Sequence, residues 1–431
     1  MARVLLAGAF GQRNPGDEAL LQAFLRALSD CDIVVTTARP GWTEHTYGCD
    51  AVDSGDLWAV GQALVGADVL VLGGGTIFKT LHPSAGRSER SLLMRSLALV
   101  SSARTLGRRV AAVGVGVGLL PDSVSRRLAR ELVRRIDLLV LRDEESAHLL
   151  GNCGAPTPFR VGSDPAWTLL NPPLHTGGRH STGGRHSSGS RHSSGSRHSG
   201  RDDTILVALS HLAASGRELW SLLDRLVDAL TEQAADGLQV LLQPWQVGVG
   251  TSGTDDHAVA AYLQTRLDGS IVLPPPADLT EARASAASAR LLVAMRFHAL
   301  VAGAAAGTPV VAVAHEAKLA GLARRLGQPA VRTDASTGEL AAAMRHARAG
   351  AGTPPARVQA ETAQAEEGFR LLRLLIDHER WDETDTLTGL RLEPAWWTAH
   401  PPEPAPSAGP PAGTDRQLTG HVPATPPSGS P

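Results

Sequence analysis

Residues 290–327, RLLVAMRFHALVAGAAAGTPVVAVAHEAKLAGLARRLG, leave the chain little choice of architecture. An apolar run of strand length, 291–294, passes through Met295, Arg296, Phe297 and His298 into an Ala-rich segment stopped by Gly307. Thr308 and Pro309 restart the chain as a second apolar, β-branched run, 310–313, followed by His315, Glu316 and Lys318. Strand, helix and strand in this order form a β-α-β unit with a parallel sheet. In open α/β sheets ligands bind beyond the carboxyl ends of the strands. Arg296 and His298 follow the first strand and Lys318 the second, so chemistry on an anion is the natural expectation. The competing reading is that these are ordinary solvated residues at strand ends.

The chain has 431 residues, too many for one ordinary core, and suggests two domains plus extras. A net charge of −2 offers no field that would draw nucleic acid or an acidic membrane surface as the main partner. Cys31, Cys49 and Cys153 show no metal-ligand spacing and form no disulfide framework, which fits a reducing compartment. The apolar run at the amino terminus is too short for a signal peptide, and no uninterrupted apolar span approaches the roughly 18 residues of a membrane helix. A soluble, cytoplasmic protein is expected.

The amino terminus reads as a strand, 4–7, then a loop with Gly8, Gly11, Asn14, Gly16, Asp17 and Glu18, then a helix over 19–28. Glycines let backbone approach a ligand, and N–H groups at a helix start suit an anion. The glycine spacing is that of neither a dinucleotide fingerprint nor a P-loop. Asp17 has a plainer alternative role, as a helix cap. Gly73, Gly74 and Gly75 end a second strand, 69–72. A helix near 91–106 and a buried strand, 110–115, precede Gly116 and Gly118; a strand over 137–141 then runs into Arg142, Asp143 and Ser146 at a helix start. Asp143 suits an N-cap or first-turn acid there, and Arg142 has the alternative of a surface ion pair. Over residues 175–201 a repeated RHSSGS pattern offers nothing apolar to pack and predicts a disordered linker. Strands over 205–209 and 239–242, with a helix over 219–230 between them, open a second α/β half. A helix near 280–289 leads into the opening stretch, and helices over 338–349 and 357–376 follow it. The implied division is a first Rossmann-like domain over 1–170, a linker over 171–203, a second Rossmann-like domain with a closing helix over 204–378, and a disordered Pro-rich tail over 401–431.

Several of these stretches resemble the polysaccharide pyruvyl transferase family. Its first signature, G-x-x-G-x-x-N-x-G-D-E-A, is matched by Gly8, Gly11, Asn14, Gly16, Asp17, Glu18 and Ala19. Its V-R-D-x-x-S motif is matched at Leu141, Arg142, Asp143 and Ser146, and its D-P-A element at Asp164, Pro165 and Ala166. The closing M-R-x-H-A-L, G-x-P-x-V and lysine are matched by Met295, Arg296, His298, Ala299, Leu300, Gly307, Pro309, Val311 and Lys318. Pro244, Gln246, Asp255 and Asp256 are similar to a P-x-Q element with a later aspartate. Two places depart: Lys79 and Thr80 stand where the family has a polar residue and an aspartate, and His211 stands near a position where it often has arginine.

The resemblance implies a GT-B-like fold, two Rossmann-like domains facing across a cleft, and transfer of a pyruvyl group from phosphoenolpyruvate to a sugar as a ketal. The acceptor would belong to a cell-surface glycan or its lipid- or nucleotide-linked precursor, and a lipid-linked one would bring the protein to a membrane surface. By the same resemblance His298, Arg142 and Lys318 are the catalytic residues, and Arg296, Gly11, Asn14, Gly16, Asp17 and Gly73 to Gly75 bind substrate. The chemistry agrees: a polyanionic donor calls for several cations, and ketal formation for a proton donor or acceptor such as His298. No step calls for a metal or other cofactor. The alternatives are a GT-B glycosyltransferase using a nucleotide sugar, with Glu316 on the ribose, and a non-catalytic anion- or sugar-binding relative.

Overall fold

Two parallel sheets, each with the same winding, carry the chain. The computed structural model describes residues 1–81, 88–154, 159–170, 202–211, 216–248 and 255–377. The first sheet contains β1 (Arg3–Phe10), β2 (Asp32–Thr37), β3 (Asp50–Asp53), β4 (Val69–Gly73), β5 (Thr76–Phe78), β6 (Arg109–Val117), β7 (Leu138–Leu141) and β8 (Arg160–Val161). Its order is β3-β2-β1-β4-β6-β7-β8, with β5 extending the pairing at the end of β6. The second contains β9 (Asp202–Ala208), β10 (Gln239–Gln243), β11 (Ile271–Val272), β12 (Ala289–Ala294), β13 (Val310–Ala314) and β14 (Ala330–Arg332), in the order β11-β10-β9-β12-β13-β14. Both halves are Rossmann-like, as expected.

The strands are runs of Val, Leu and Ala because helices cover both faces of each sheet. Val4, Leu5, Val71, Val110, Val207 and Val293 are fully buried. In the first lobe the helices are α1 (Pro15–Ala27), α2 (Pro40–Tyr47), α3 (Leu57–Gly66), α4 (Ser91–Thr105), α5 (Ser123–Val133) and α6 (Glu144–Gly151), followed by a short 3-10 turn, Pro165–Leu169. In the second they are α7 (Gly216–Ala235), α8 (Asp256–Gln264), α9 (Leu279–Ser288), α10 (Phe297–Ala305), α11 (Ala317–Leu326), α12 (Thr337–Ala349) and α13 (Pro355–Ile376). Many start on a side-chain cap that takes otherwise orphaned N–H groups: Asp56, Asp122, Asp143, Asp255, Asp278 and Ser336. Each sheet has its own apolar core, one built around Leu70, Ala112 and Leu139, the other around Val207, Leu242 and Val293.

Several contacts hold the lobes in register. Helix α13 crosses back from the second lobe onto the first, where Phe369 meets Phe24 edge-on at 5.0 Å and Glu361 accepts a hydrogen bond from the Ser163 hydroxyl. Glu361 also receives Arg325 Nε at 2.8 Å, and Glu145 on α6 receives Arg324 at 2.7 Å and Arg325 at 3.2 Å. Gly321 permits this approach, since a Cβ there would fall 2.0 Å from the Glu145 carboxyl. Helix α1 also packs on α9 and α10. The expected linker over 171–203, up to residue 201, and the expected tail over 401–431 lie outside the described residues; β9 already begins at Asp202. Among the described residues no helix is long and apolar enough to cross a membrane.

Candidate functional site

Strand order reverses direction between β1 and β4 in the first sheet and between β9 and β12 in the second. These are the switch points where α/β sheets open a crevice. The sequence motifs lie there: Gly11 to Asp17 after β1, Gly73 to Gly75 at the end of β4, and Arg296 to His298 after β12.

In the first loop Gly11 adopts φ +74°, with its N–H donated to Glu18 Oε1 at 2.9 Å. Asn14, not Asp17, caps α1: its side-chain oxygen accepts Gly16 N–H at 3.2 Å. Its amide nitrogen donates to Asp17 Oδ2 at 2.7 Å and holds that carboxylate toward the site. Burial pushes the Asp17 carboxyl up, against the lowering influence of His298, Asn14, Lys318 and Lys79. Gly16 is a contact position, because a Cβ there would lie 2.0 Å from His298 Nδ1. The first loop of one lobe thus packs directly on His298 of the other.

His298 is 8% exposed, and its Nε2 lies 3.5 Å from Asp164 Oδ1, beyond a good hydrogen bond. Its helix, α10, has no side-chain cap at Arg296, so first-turn N–H groups remain available at the cleft. Asp164 also lies 3.5 Å from Arg142 Nη1; burial alone would raise its carboxyl, but His298 and Arg142 hold it below the usual range.

Arg142 is not a surface cation. It is 3% exposed, donates from Nε to Asp143 Oδ2 at 3.1 Å, and its guanidinium carbon sits 4.4 Å from the centre of the Phe297 ring. Burial, which disfavours its charge, is outweighed by Asp143 and Asp164, so its pKa is raised. Its Nη2 reaches Thr76 Oγ1 at 3.4 Å, and Lys318 Nζ approaches the same hydroxyl at 3.5 Å from the other lobe. Lys318 is also paired with Glu316; burial lowers its pKa despite that partner. For Glu316 burial works upward, but Lys318 and Lys79 prevail and bring it down to about 2.

The glycines after β4 and along β6 make room for these groups. A Cβ on Gly116 would fall 2.6 Å from Arg142 Nη2, and one on Gly114 2.3 Å from the Pro165 ring beside Asp164. Gly74 and Gly75 adopt φ +64° and +74° next to Leu20 and Asp17. A Cβ on Gly73 would press on Leu6 and Phe24, so that glycine serves packing.

Arg296 lies apart from this cluster in its bonding. Its Nη2 bonds both oxygens of Asp256 at 2.6 and 2.7 Å, and its Nε donates to the Leu209 carbonyl at 3.1 Å. Asp256, fully buried, also accepts His211 N at 2.8 Å and Nδ1 at 2.6 Å, Trp245 N at 3.0 Å and Gln246 N at 2.9 Å. Burial would raise that carboxyl, but Arg296 and these donors bring it down to about 2. His315 stands between the two clusters, its pKa lowered by burial to about 4 and its buried Nδ1 without a hydrogen-bond partner. Among the described residues no group of three or more His, Cys, Asp and Glu side chains is placed to hold a metal ion.

Two Rossmann-like lobes with a cationic cleft at facing switch points define a GT-B-like α/β protein. Solved structures share the fold: a putative UDP-N-acetylglucosamine 2-epimerase from Listeria monocytogenes (TM-score 0.55, 13% identity, 88% of this chain and 97% of that one) and Anabaena HepE in complex with UDP and glucose (0.53, 14%, 88% and 98%). The chain belongs to the polysaccharide pyruvyl transferase family, whose model matches residues 14–316. No curated protein matches it.

Proposed function

We propose that the chain transfers a pyruvyl group from phosphoenolpyruvate to a sugar diol, forming a ketal and releasing phosphate. The observation that carries this reading is the convergence of motifs from both lobes: His298 against Gly16 and Asp164, and Lys318 with Arg142 on the Thr76 hydroxyl. Lys318 and the open first-turn N–H groups of α10 receive donor oxygens, while buried Arg142 acts by its charge and through Thr76.

His298 delivers a proton to the methylene carbon of the donor, and C2 takes up a sugar hydroxyl oxygen, whose proton is lost. The bond from C2 to the phosphate oxygen breaks, phosphate leaves, and a second hydroxyl closes the ketal with loss of its proton. One hydroxyl proton replaces that given to the methyl group, and the other leaves with phosphate. Asp164, 3.5 Å from Nε2, and buried Asp17 place carboxyl groups beside the imidazole. The acceptor is a glycan precursor on a lipid or nucleotide carrier, at work in the cytoplasm.

Incubating the protein with phosphoenolpyruvate and candidate acceptors, and in parallel with UDP-sugars, tests the proposal by the product released. Phosphate with a ketal-bearing sugar is expected. UDP release without phosphate would replace the reading by nucleotide-sugar glycosyl transfer, and tight phosphoenolpyruvate binding without turnover by a non-catalytic role.

A further inference from the structure

Lys79 stands at a family position where the chain departs from the pattern, and it differs from the other cleft cations in its partners. Arg142 faces Asp143 and Asp164, Lys318 faces Glu316, and Arg296 faces Asp256. Among the described residues no carboxylate comes within ion-pair distance of Lys79, which is half-buried. An ammonium that makes no direct ion pair keeps N–H donors that an anion can complete.

The residue is held in place. It follows β5, the strand that carries Thr76, and a Cβ on Gly118 would lie 2.9 Å from Lys79 Cβ, 3.5 Å from its Cδ and 3.3 Å from Thr76 Cγ2. The bare Gly118 therefore leaves the groove along which the lysine stem lies beside Thr76. Just beyond, Thr80 donates its N–H at 3.2 Å and its hydroxyl at 3.1 Å to the Leu119 carbonyl and fixes the turn. The ammonium is near enough for its charge to bear on Asp17, Glu316, His315 and Lys318, which border the same space from both lobes.

We propose that Lys79, with Thr76 and Lys318, forms a subsite for an anionic phosphate or carboxylate group of a substrate. This deepens the pyruvyl-transfer reading and rests on it. The group comes either from phosphoenolpyruvate itself or from an acceptor with a phosphate-linked carrier.

Calorimetric titration of the full chain with phosphoenolpyruvate, inorganic phosphate and UDP, for the parent, Lys79→Gln and Lys79→Arg, tests the subsite, with melting temperature as the folding control. The tightest-bound probe should lose about tenfold in affinity in Lys79→Gln and recover most of it in Lys79→Arg, with unchanged melting. Weakened phosphoenolpyruvate assigns the subsite to the donor; weakened UDP with intact phosphoenolpyruvate assigns it to the acceptor. A parent that binds UDP but not phosphoenolpyruvate, weakened by Lys79→Gln, would sink the pyruvyl reading and leave the subsite standing. Equal binding of every probe by parent and Lys79→Gln, or no binding of any of them by the parent, overturns the subsite.

Discussion

The two switch points carry the same kinds of residue in opposite states. At the second-lobe end Asp256 is saturated, with Arg296, His211 and two backbone N–H groups filling its lone pairs. At the meeting of the lobes the contacts are long: 3.5 Å from His298 to Asp164, 3.4 Å from Arg142 to Thr76 and 3.5 Å from Lys318 to Thr76. Saturation builds a rigid wall, whereas unfilled hydrogen-bonding capacity is what a ligand can complete. Arg296, expected to bind substrate, has most of its donors committed to Asp256 and the Leu209 carbonyl.

The largest way to break this contrast is His298→Ala. As a proton donor its loss should cost about a hundred- to ten-thousand-fold in turnover with donor affinity largely kept. Near-parental turnover of His298→Ala and His298→Gln at saturating donor would remove it from catalysis. Next comes Asp256→Ala, which leaves Arg296 buried without its partner and should lower stability by about 3–5 kcal/mol, read by denaturant unfolding. A loss below about 1 kcal/mol would mean the wall is not a stabilising hub.

Much of this layout was legible locally. Strand ends, glycine loops and the β-α-β unit follow from apolar runs and punctuation that act within a few residues, and the structure places these strands and helices within a few residues of the expected bounds. What escaped was pairing at a distance. Asp164 reads in sequence as the close of a domain, yet it joins Arg142 to His298 across the cleft. Nothing in its neighbourhood encodes a partner on another lobe. The roles of Gly16 against His298 and Gly116 against Arg142 were hidden for the same reason, since the space a glycine leaves is defined by what fills it. The Asp256 hub had a partial signal in the P-x-Q element and its later aspartate, but its partners come from three separate strand ends.

A smaller effect is expected at Lys318. Lys318→Ala should weaken phosphoenolpyruvate binding about ten- to hundredfold, the worth of one charge-assisted contact. Arg142→Ala should add a loss of stability, because it removes the cation beside buried Asp143 and Asp164. Unchanged donor affinity in Lys318→Ala, by calorimetry, would make that lysine a partner of Glu316 alone.

The smallest effect sharpens the comparison through two buried carboxylates. Asp256 is held down to about 2 by its many donors, whereas Glu18, behind the first glycine loop, has Gly11 N–H at 2.9 Å and the Tyr47 hydroxyl at 3.4 Å, and burial raises it to about 7. Starting from an ordinary value of 4.5, the native carboxyl keeps a proton that the unfolded chain has already released as pH rises toward 7. The unfolded state binds fewer protons in that window, so this group's contribution to stability falls as pH rises and levels off above about 7. Glu18→Gln keeps the shape and an acceptor for Gly11 but removes the titration. Its stability relative to the parent should therefore be close to level near pH 5 and gain on the order of 1–2 kcal/mol by pH 8. For Asp256 the sign reverses: its contribution is present above 3.8 and is lost as pH falls toward 2. Unfolding curves for Glu18→Gln and the parent at pH 5 and pH 8 read the difference directly, and a constant offset between the two pH values would mean that Glu18 is already ionised behind the loop.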